Sequence, residues 1–448
     1  MMVFMAPMAD EDRAAADTAA PTRTTARRPA AEAAPGPGVG GRQRLLLIVG
    51  LVIAALNLRP AITSLGPLMK EVRDDLGMSG TLAGLLTSVP TLCFAVFGLA
   101  APRLARRWGP AAVVCAGMVA ITAGLAVRPY AGGTAGFLVL SALALAGIAV
   151  SNILMPVIVK RWFPDRVGPT TGIYSMAMSA GTSLAAAATV PMTDALGGSW
   201  RLGLGIWALL GAAAALVWLA VARSRTARTT NAADKPATPG ACTAPAGTAV
   251  RITRSPTAWA LAVFFGLQAT GAYITMGWMP QIFRDAGVSA STAGVLLATT
   301  MLMGVPLSFV LPRLAARLPH QGVLVLVLAA FGLTGYTGLW LAPAAGAWAW
   351  ALLLGVSNCA FPLALTMIGM RARSGAGVVR LSAFAQSTGY LLSIPGPLLV
   401  GALYERTGGW DLPIALMAAL MVPQAVAGVL AGRDRTVEDE TGAAAPTA

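Results

Sequence analysis

The chain has 448 residues, of which 56% are hydrophobic and 11% charged. Soluble domains carry roughly 25% charged residues, so this composition, with a mean hydropathy of +0.70, excludes an ordinary soluble globule, a disordered chain and a collagen-like one. The formal charge of +14 does not indicate nucleic-acid binding, because Arg and Lys stand in short runs between apolar stretches, where they orient helices in a bilayer.

Residues 1–43 are rich in Ala, Pro, Thr, Arg and Gly and hold no apolar run. They predict a disordered cytoplasmic tail, not a secretory signal. From Leu45 twelve apolar runs follow, at about 45–68, 80–101, 111–128, 135–158, 172–192, 202–222, 258–280, 291–312, 322–342, 347–368, 381–401 and 411–431. Each approaches the roughly 20 residues a helix needs to cross a bilayer. A polar linker, 223–256, separates six runs in 44–222 from six in 257–432, and a charged tail, 433–448, closes the chain. The expectation is an all-α polytopic membrane protein with two six-helix bundles.

With both termini inside, 25 of the 32 basic residues fall on the inner side and six on the outer, Arg59 lying within a run. That asymmetry predicts a multi-pass protein of the cytoplasmic membrane, with tails and linker in the cytoplasm. The outer carboxylates Glu71, Asp74, Asp75, Asp194, Asp285, Glu405 and Asp411 fall at or beyond predicted helix ends.

The two sets of runs repeat one another. At a shift of 210 residues "AGLL" from Ala83 meets "AGVL" from Ala293, "APRLARR" from Ala101 meets "LPRLAAR" from Leu311, and Trp200 meets Trp410. "SNILMP" from Ser151 matches "SNCAFP" from Ser357 at a slightly different offset. Matches that include Pro, Arg and Asn are not the chance likeness of apolar segments. Cys93, Cys115, Cys242 and Cys359 lack metal or disulfide spacing, and the single histidine, His320, lies between runs. No cofactor or metal is expected.

Chemistry then rests on a few polar residues at depth. Arg59, in "NLRPAITSLGP", is about 20 Å along its helix at 1.5 Å per residue, where a charge needs a wet cavity or a partner. No run offers a carboxylate at that depth, so a mobile anion is the partner expected; a structural, carbonyl-bound arginine is the alternative. Thr63 shares its helical face, Asn57 faces a neighbouring helix, and Pro60 and Pro67 kink the run by removing backbone bonds. Pro156 and Pro362 free the carbonyls of Asn152 and Asn358, giving each half an amide on a kinked helix. In the seventh run Gln268 sits near the position equivalent to Arg59, and Tyr273 lies on a different face. Tyr174, Ser175, Gln386 and Tyr390 are further candidates.

"GLAAPRLARRWG" resembles the loop between helices 2 and 3 of the major facilitator superfamily. Gly98, Arg103, Arg106 and Arg107 match that gating motif, whereas Pro102 replaces its aspartate and Ala105 its second glycine. "NLRPAITSLGPL", "AGLLTSVPTLCFA" and "FFGLQ…Y…W.P" are similar to the cyanate permease and 2-nitroimidazole transporter family, over nearly the whole folded part. The resemblance implies a transporter working by alternating access between two six-helix bundles. Arg59, Thr63, Asn152, Gln268, Tyr273 and Asn358 would bind a small-molecule solute, either a small anion or a small polar organic molecule. The expected partners are that solute and the lipid bilayer, with no nucleic acid, and the protein is expected to act as a monomer. A drug-efflux antiporter of the same fold is the alternative; an enzyme would need clustered catalytic groups that the runs lack.

Overall fold

The computed structural model describes residues 41–163, 166–223 and 252–441. The tail expected at 1–43 and the linker expected at 223–256 lie almost wholly outside the described residues. Those described are helical, with no strand among them.

The first run folds in three pieces, α1 (Gly41–Asn57), α2 (Pro60–Thr63) and α3 (Met69–Leu76). Next come α4 (Gly80–Trp108), α5 (Pro110–Val127), α6 (Thr134–Trp162) and α7 (Val167–Ala195), and the sixth run divides into α8 (Trp200–Gly205) and α9 (Trp207–Arg223). In the second half α10 (Pro256–Asp285) is unbroken, the eighth run is α11 (Ala290–Leu302) plus α12 (Gly304–Arg317), and α13 (Gly322–Leu341) is the ninth. The tenth divides into α14 (Ala347–Asn358) and α15 (Ala360–Met370), and the eleventh into α16 (Gly375–Ser393) and α17 (Pro395–Thr407). The twelfth is α18 (Asp411–Ala431), followed by the short α19 (Val437–Thr441).

Serines start several of these helices. Ser79, Ser255, Ser289 and Ser374 each accept a bond from the backbone N–H three residues on, at 3.0–3.2 Å, satisfying one of the donors a helix leaves free at its start. Among the described residues eleven helical spans are long and apolar enough to cross a membrane. The exception is the predicted run 381–401. There α16 carries Arg380, Ser382 and Gln386, and the path breaks at Ile394 before Pro395.

Two expectations need correction. The "gating loop" is no loop: Gly98, Arg103, Arg106 and Arg107 lie within α4, and the turn to α5 is made by Gly109 alone, at φ 82°. Glycine is needed there because a side chain rarely adopts that conformation, and Pro110 then starts the next helix. The second concerns the paired prolines, since α6 runs on through Pro156 whereas the tenth run breaks at Cys359. The C-terminal tail is described as far as Thr441. Its described part docks: the Glu440 carboxylate accepts bonds from the Thr257 N–H and hydroxyl at 3.1 and 2.6 Å and from Ser255, and the Val437 N–H reaches the Arg371 carbonyl at 3.0 Å. A carboxylate at the start of α10 suits the positive end of its helix dipole.

The chain enters at α1 and leaves after α18 at one end, the terminal end. Close contacts between the halves gather at the opposite, distal end. Arg284 donates to Glu71 at 2.6 and 2.8 Å and to the Pro67 carbonyl at 2.8 Å. Glu405 accepts from the Thr81 N–H and hydroxyl at 2.8 and 2.6 Å, and Ser88 donates to the Ile394 carbonyl at 2.8 Å. Glycines bring α4 and α17 together: a Cβ on Gly84 would stand 2.7 Å from the Pro397 carbonyl oxygen. Beneath these contacts lies an apolar core drawn from both halves, including Met69, Phe137, Trp200, Trp278 and Phe283. Helix α11 packs along α7.

Candidate functional site

The break in the first run positions Arg59. Leu58 and Arg59 form a turn between α1 and α2, with Arg59 at φ −123° and ψ −26°, and Pro60 begins α2. The Arg59 carbonyl accepts from the N–H groups of Ile62 and Thr63 at 2.9 and 3.1 Å and from the Thr63 hydroxyl at 3.2 Å. Thr63 is fully buried. Its hydroxyl therefore spends its proton on bracing the turn. Asn57 faces α5, where its amide approaches the Met118 sulfur at 3.7 Å.

The half-buried Arg59 side chain bonds one tyrosine and lies within electrostatic reach of two more, from three other spans. Its guanidinium donates to the Tyr273 hydroxyl of α10, with Tyr390 of α16 and Tyr174 of α7 also close enough to act on its charge. Three of the chain's six tyrosines thus converge on one arginine. Among the described residues no carboxylate pairs with it. Neutral hydroxyls can accept its hydrogen bonds but cannot neutralise its charge, and a desolvated charge without a counter-ion is costly.

Aromatic rings wall the same region. Phe94 of α4 stacks on Tyr390 with centroids 5.0 Å apart, and Phe265 of α10 meets Tyr390 edge-on at 5.1 Å and Phe361 of α15 at 5.6 Å. Asn152 accepts from the Tyr174 hydroxyl at 3.0 Å, which ties it to the tyrosine cluster. On the other face of α10, Gln268 donates to the Asn358 carbonyl and side-chain oxygen at 2.9 and 3.3 Å, and Gln424 of α18 donates to Gln268 at 3.1 Å. Gln268 and Tyr273 therefore do different work, as their helical spacing implies.

Of the sequence candidates, Arg59, Tyr273 and Asn152 come together through Tyr174, Gln268 and Asn358 form a neighbouring amide chain, and Thr63 serves the backbone. Gln386 bonds Ser382 on its own helix at 2.6 Å. Phe94, Phe265, Phe361 and Gln424 were not singled out by sequence, because apolar rings in an apolar helix carry no signal of their own. The scarcity of tyrosine, and its placing in the fifth, seventh and eleventh runs, was the available clue.

The sequence model of the Major Facilitator Superfamily matches residues 45–379. The chain is 34% identical over 398 residues to the uncharacterized transporter YycB of Bacillus subtilis, covering 88% of this chain and 95% of that one. It is 33% identical over 407 residues to the 2-nitroimidazole transporter of Escherichia coli (89% and 98%), and 30% over 378 residues to the cyanate transport protein CynX of the same organism (84% and 94%). Among solved structures it superposes on a bacterial homolog of the human lysosomal transporter Spinster, in an inward-facing and occupied conformation, with a TM-score of 0.68 at 17% identity, covering 91% of this chain and 99% of that one. That likeness shows the fold alone. Family and relatives agree: the chain belongs to the Major Facilitator Superfamily, beside transporters of cyanate and 2-nitroimidazole.

Proposed function

We propose that the protein carries a small anion across the cytoplasmic membrane by alternating access, with Arg59 as the group that binds the anion. The observation behind this reading is a half-buried guanidinium bonded to the Tyr273 hydroxyl, with Tyr174 and Tyr390 near enough to act on its charge and no carboxylate partner among the described residues. A guanidinium grips a flat or linear anion through two parallel hydrogen bonds. The tyrosine hydroxyls add further bonds, and the aromatic walls exclude water. Because Tyr174 belongs to the first half and Tyr273 and Tyr390 to the second, a bound anion would bridge the halves. The distal contacts would then part as those at the terminal end close. The charge asymmetry of the sequence supports cytoplasmic termini, so the distal face is the outer one, and the protein acts as a monomer.

Stacked rings beside Arg59 also favour a second reading, a planar nitroheterocycle as cargo. Uptake of labelled cyanate and of 2-nitroimidazole into proteoliposomes separates the two. A hydrogen bond to a charged group contributes about 1.5–3 kcal/mol, so Arg59→Gln is expected to lower cyanate uptake by roughly ten- to a hundredfold. Arg59→Lys keeps the charge but not the fork, and is expected to raise KM and retain some transport. Wild-type cyanate uptake by Arg59→Gln overturns the anion reading; loss of nitroimidazole uptake with cyanate never carried supports the second. With no carboxylate at mid-depth, uptake is expected to proceed without one-for-one proton movement, measured as the pH inside the vesicles.

A further inference from the structure

A second arginine is more deeply buried than Arg59. Arg128 follows α5, where its position suggests an exposed loop, yet it is 1% exposed. Its Nη1 donates to the Ala61 carbonyl at 3.1 Å. That carbonyl is available because the broken first run bonds Leu65 back to Ile62 and not to Ala61. The guanidinium lies 5.5 Å from the ring centre of Phe137, and among the described residues no carboxylate pairs with it.

Two of its nitrogens, Nε and Nη2, are buried without a partner, and so is the hydroxyl of the fully buried Ser141. Nε and Nη2 form one edge of the guanidinium, and their parallel N–H bonds are the fork that fits an anion. Arg128 and Ser141 line the same small cavity, of about 10 Å³, together with Thr87, Tyr273 and Gly277. That volume suits one water-sized group. Leaving three buried polar atoms unpaired would cost about 1–3 kcal/mol each, so the cavity is built for an occupant.

The geometry points to a second anion site, held by the Arg128 fork and the Ser141 hydroxyl and sized here for a halide or the end of a small linear anion. It lies between the halves. Arg128 and Ser141 belong to the first, whereas Tyr273 and Gly277 of α10 close it from the second; a Cβ on Gly277 would stand 2.4 Å from the Thr87 side chain. Tyr273, which also touches Arg59, is the shared wall of the two sites. Separation of α10 from α4 would widen the cavity toward the distal face, which places Arg128 before Arg59 on the path from that side. The site does not depend on the Arg59 reading, because a halide can occupy it whatever the cargo.

The test uses the purified full chain, with sodium bromide exchanged for sodium gluconate at constant ionic strength. Melting temperature and, in crystals, bromide anomalous scattering are the readouts. Wild-type protein and Arg59→Gln are expected to be stabilised by bromide, with an anomalous peak beside Arg128. Ser141→Ala is expected to need roughly three- to tenfold more bromide for the same shift, as loss of one hydrogen bond implies, and Arg128→Gln to give no shift. Replacing bromide with cyanate separates the sources: a shift lost in Arg128→Gln but kept in Arg59→Gln assigns the site to the transported anion as well. Equal bromide shifts in wild type, Ser141→Ala and Arg128→Gln overturn the proposal, as does an anomalous map without a peak at Arg128. Should Arg128→Gln fail to fold, Ser141→Ala and the map still decide.

Discussion

The two halves repeat in sequence but not in helix continuity. The first run is broken at Arg59 while its counterpart α10 runs through 30 residues; the second, fourth and fifth runs are unbroken while the eighth, tenth and eleventh each divide. Proline content does not decide this, for α4, α6, α7 and α10 all continue through an internal proline. At three of the breaks another span supplies a donor to a backbone carbonyl. Arg128 takes Ala61, Gln268 takes Asn358, and Ser88 takes Ile394. Among the described residues no other span takes the Asn152 carbonyl below Pro156. At these three breaks a side chain of another span satisfies a backbone carbonyl, as expected where water is scarce. Each of these breaks thereby places a polar contact between spans.

The largest expected effect tests the join between an unbroken helix and a broken one. Gly84 lets α4 lie against α17, and a side chain there meets backbone atoms, the Pro397 carbonyl at 2.7 Å and the Leu398 Cα at 2.9 Å. Overpacking of this kind costs about 1–3 kcal/mol, so Gly84→Val is expected to lower the closed-to-open ratio at the distal end by roughly five- to 150-fold. Paired spin labels across the distal end should report longer distances, and uptake should fall in step. Unchanged distances would mean that this contact does not govern closure.

The paired prolines sharpen the comparison directly. In Pro362→Ala the restored N–H can bond the Asn358 carbonyl and displace Gln268, a change of about 0.5–1.5 kcal/mol. Uptake is expected to fall roughly two- to tenfold. Pro156→Ala has no such competitor and is expected to stay within about twofold. Equal effects would show that both prolines act through helix flexibility, and would remove the distinction between the halves.

How much of this could be read beforehand follows from the same contrast. The spans, the repeat, the break near Pro60 and the isolation of Arg59 were legible, because hydropathy, proline and charge act within a single helix. The tyrosine cluster, the burial of Arg128 and the Gln268–Asn358–Gln424 chain were not, because each depends on which faces of distant helices meet. Arg128 shows the limit most clearly. Its position at the end of a run reads as an outer loop, and nothing local reveals that the Ala61 carbonyl waits for it. The α4 motif failed for the opposite reason. Its basic residues suit a loop, but α4 has the length to continue, and one left-handed glycine makes the turn.

The smallest expected effect concerns the docked C-terminal segment, whose described bonds include several to the second half. Asp439 accepts from the Thr436 hydroxyl and N–H at 2.6 and 3.0 Å and pairs with Arg373. The Thr436 bonds first, and Arg373 after them, hold its carboxyl below the usual aspartate value of 3.8. The Thr436 bonds lie within the segment and favour its own turn; the part of the lowering due to Arg373 favours docking above the ordinary value and is lost as pH falls through the lowered one. Acid should therefore loosen α19, and pH 7 should hold it. A spin label at Thr441 is expected to gain mobility as pH drops below about 4, with a smaller change in Asp439→Asn, in which the titrating group is gone. Glu438, which accepts from the Arg373 N–H at 3.2 Å, and Glu440 at the start of α10 remain in that variant, so some acid response should persist. Mobility that does not change with pH, or changes equally in both proteins, would show that Asp439 is not what fastens this segment to the second half.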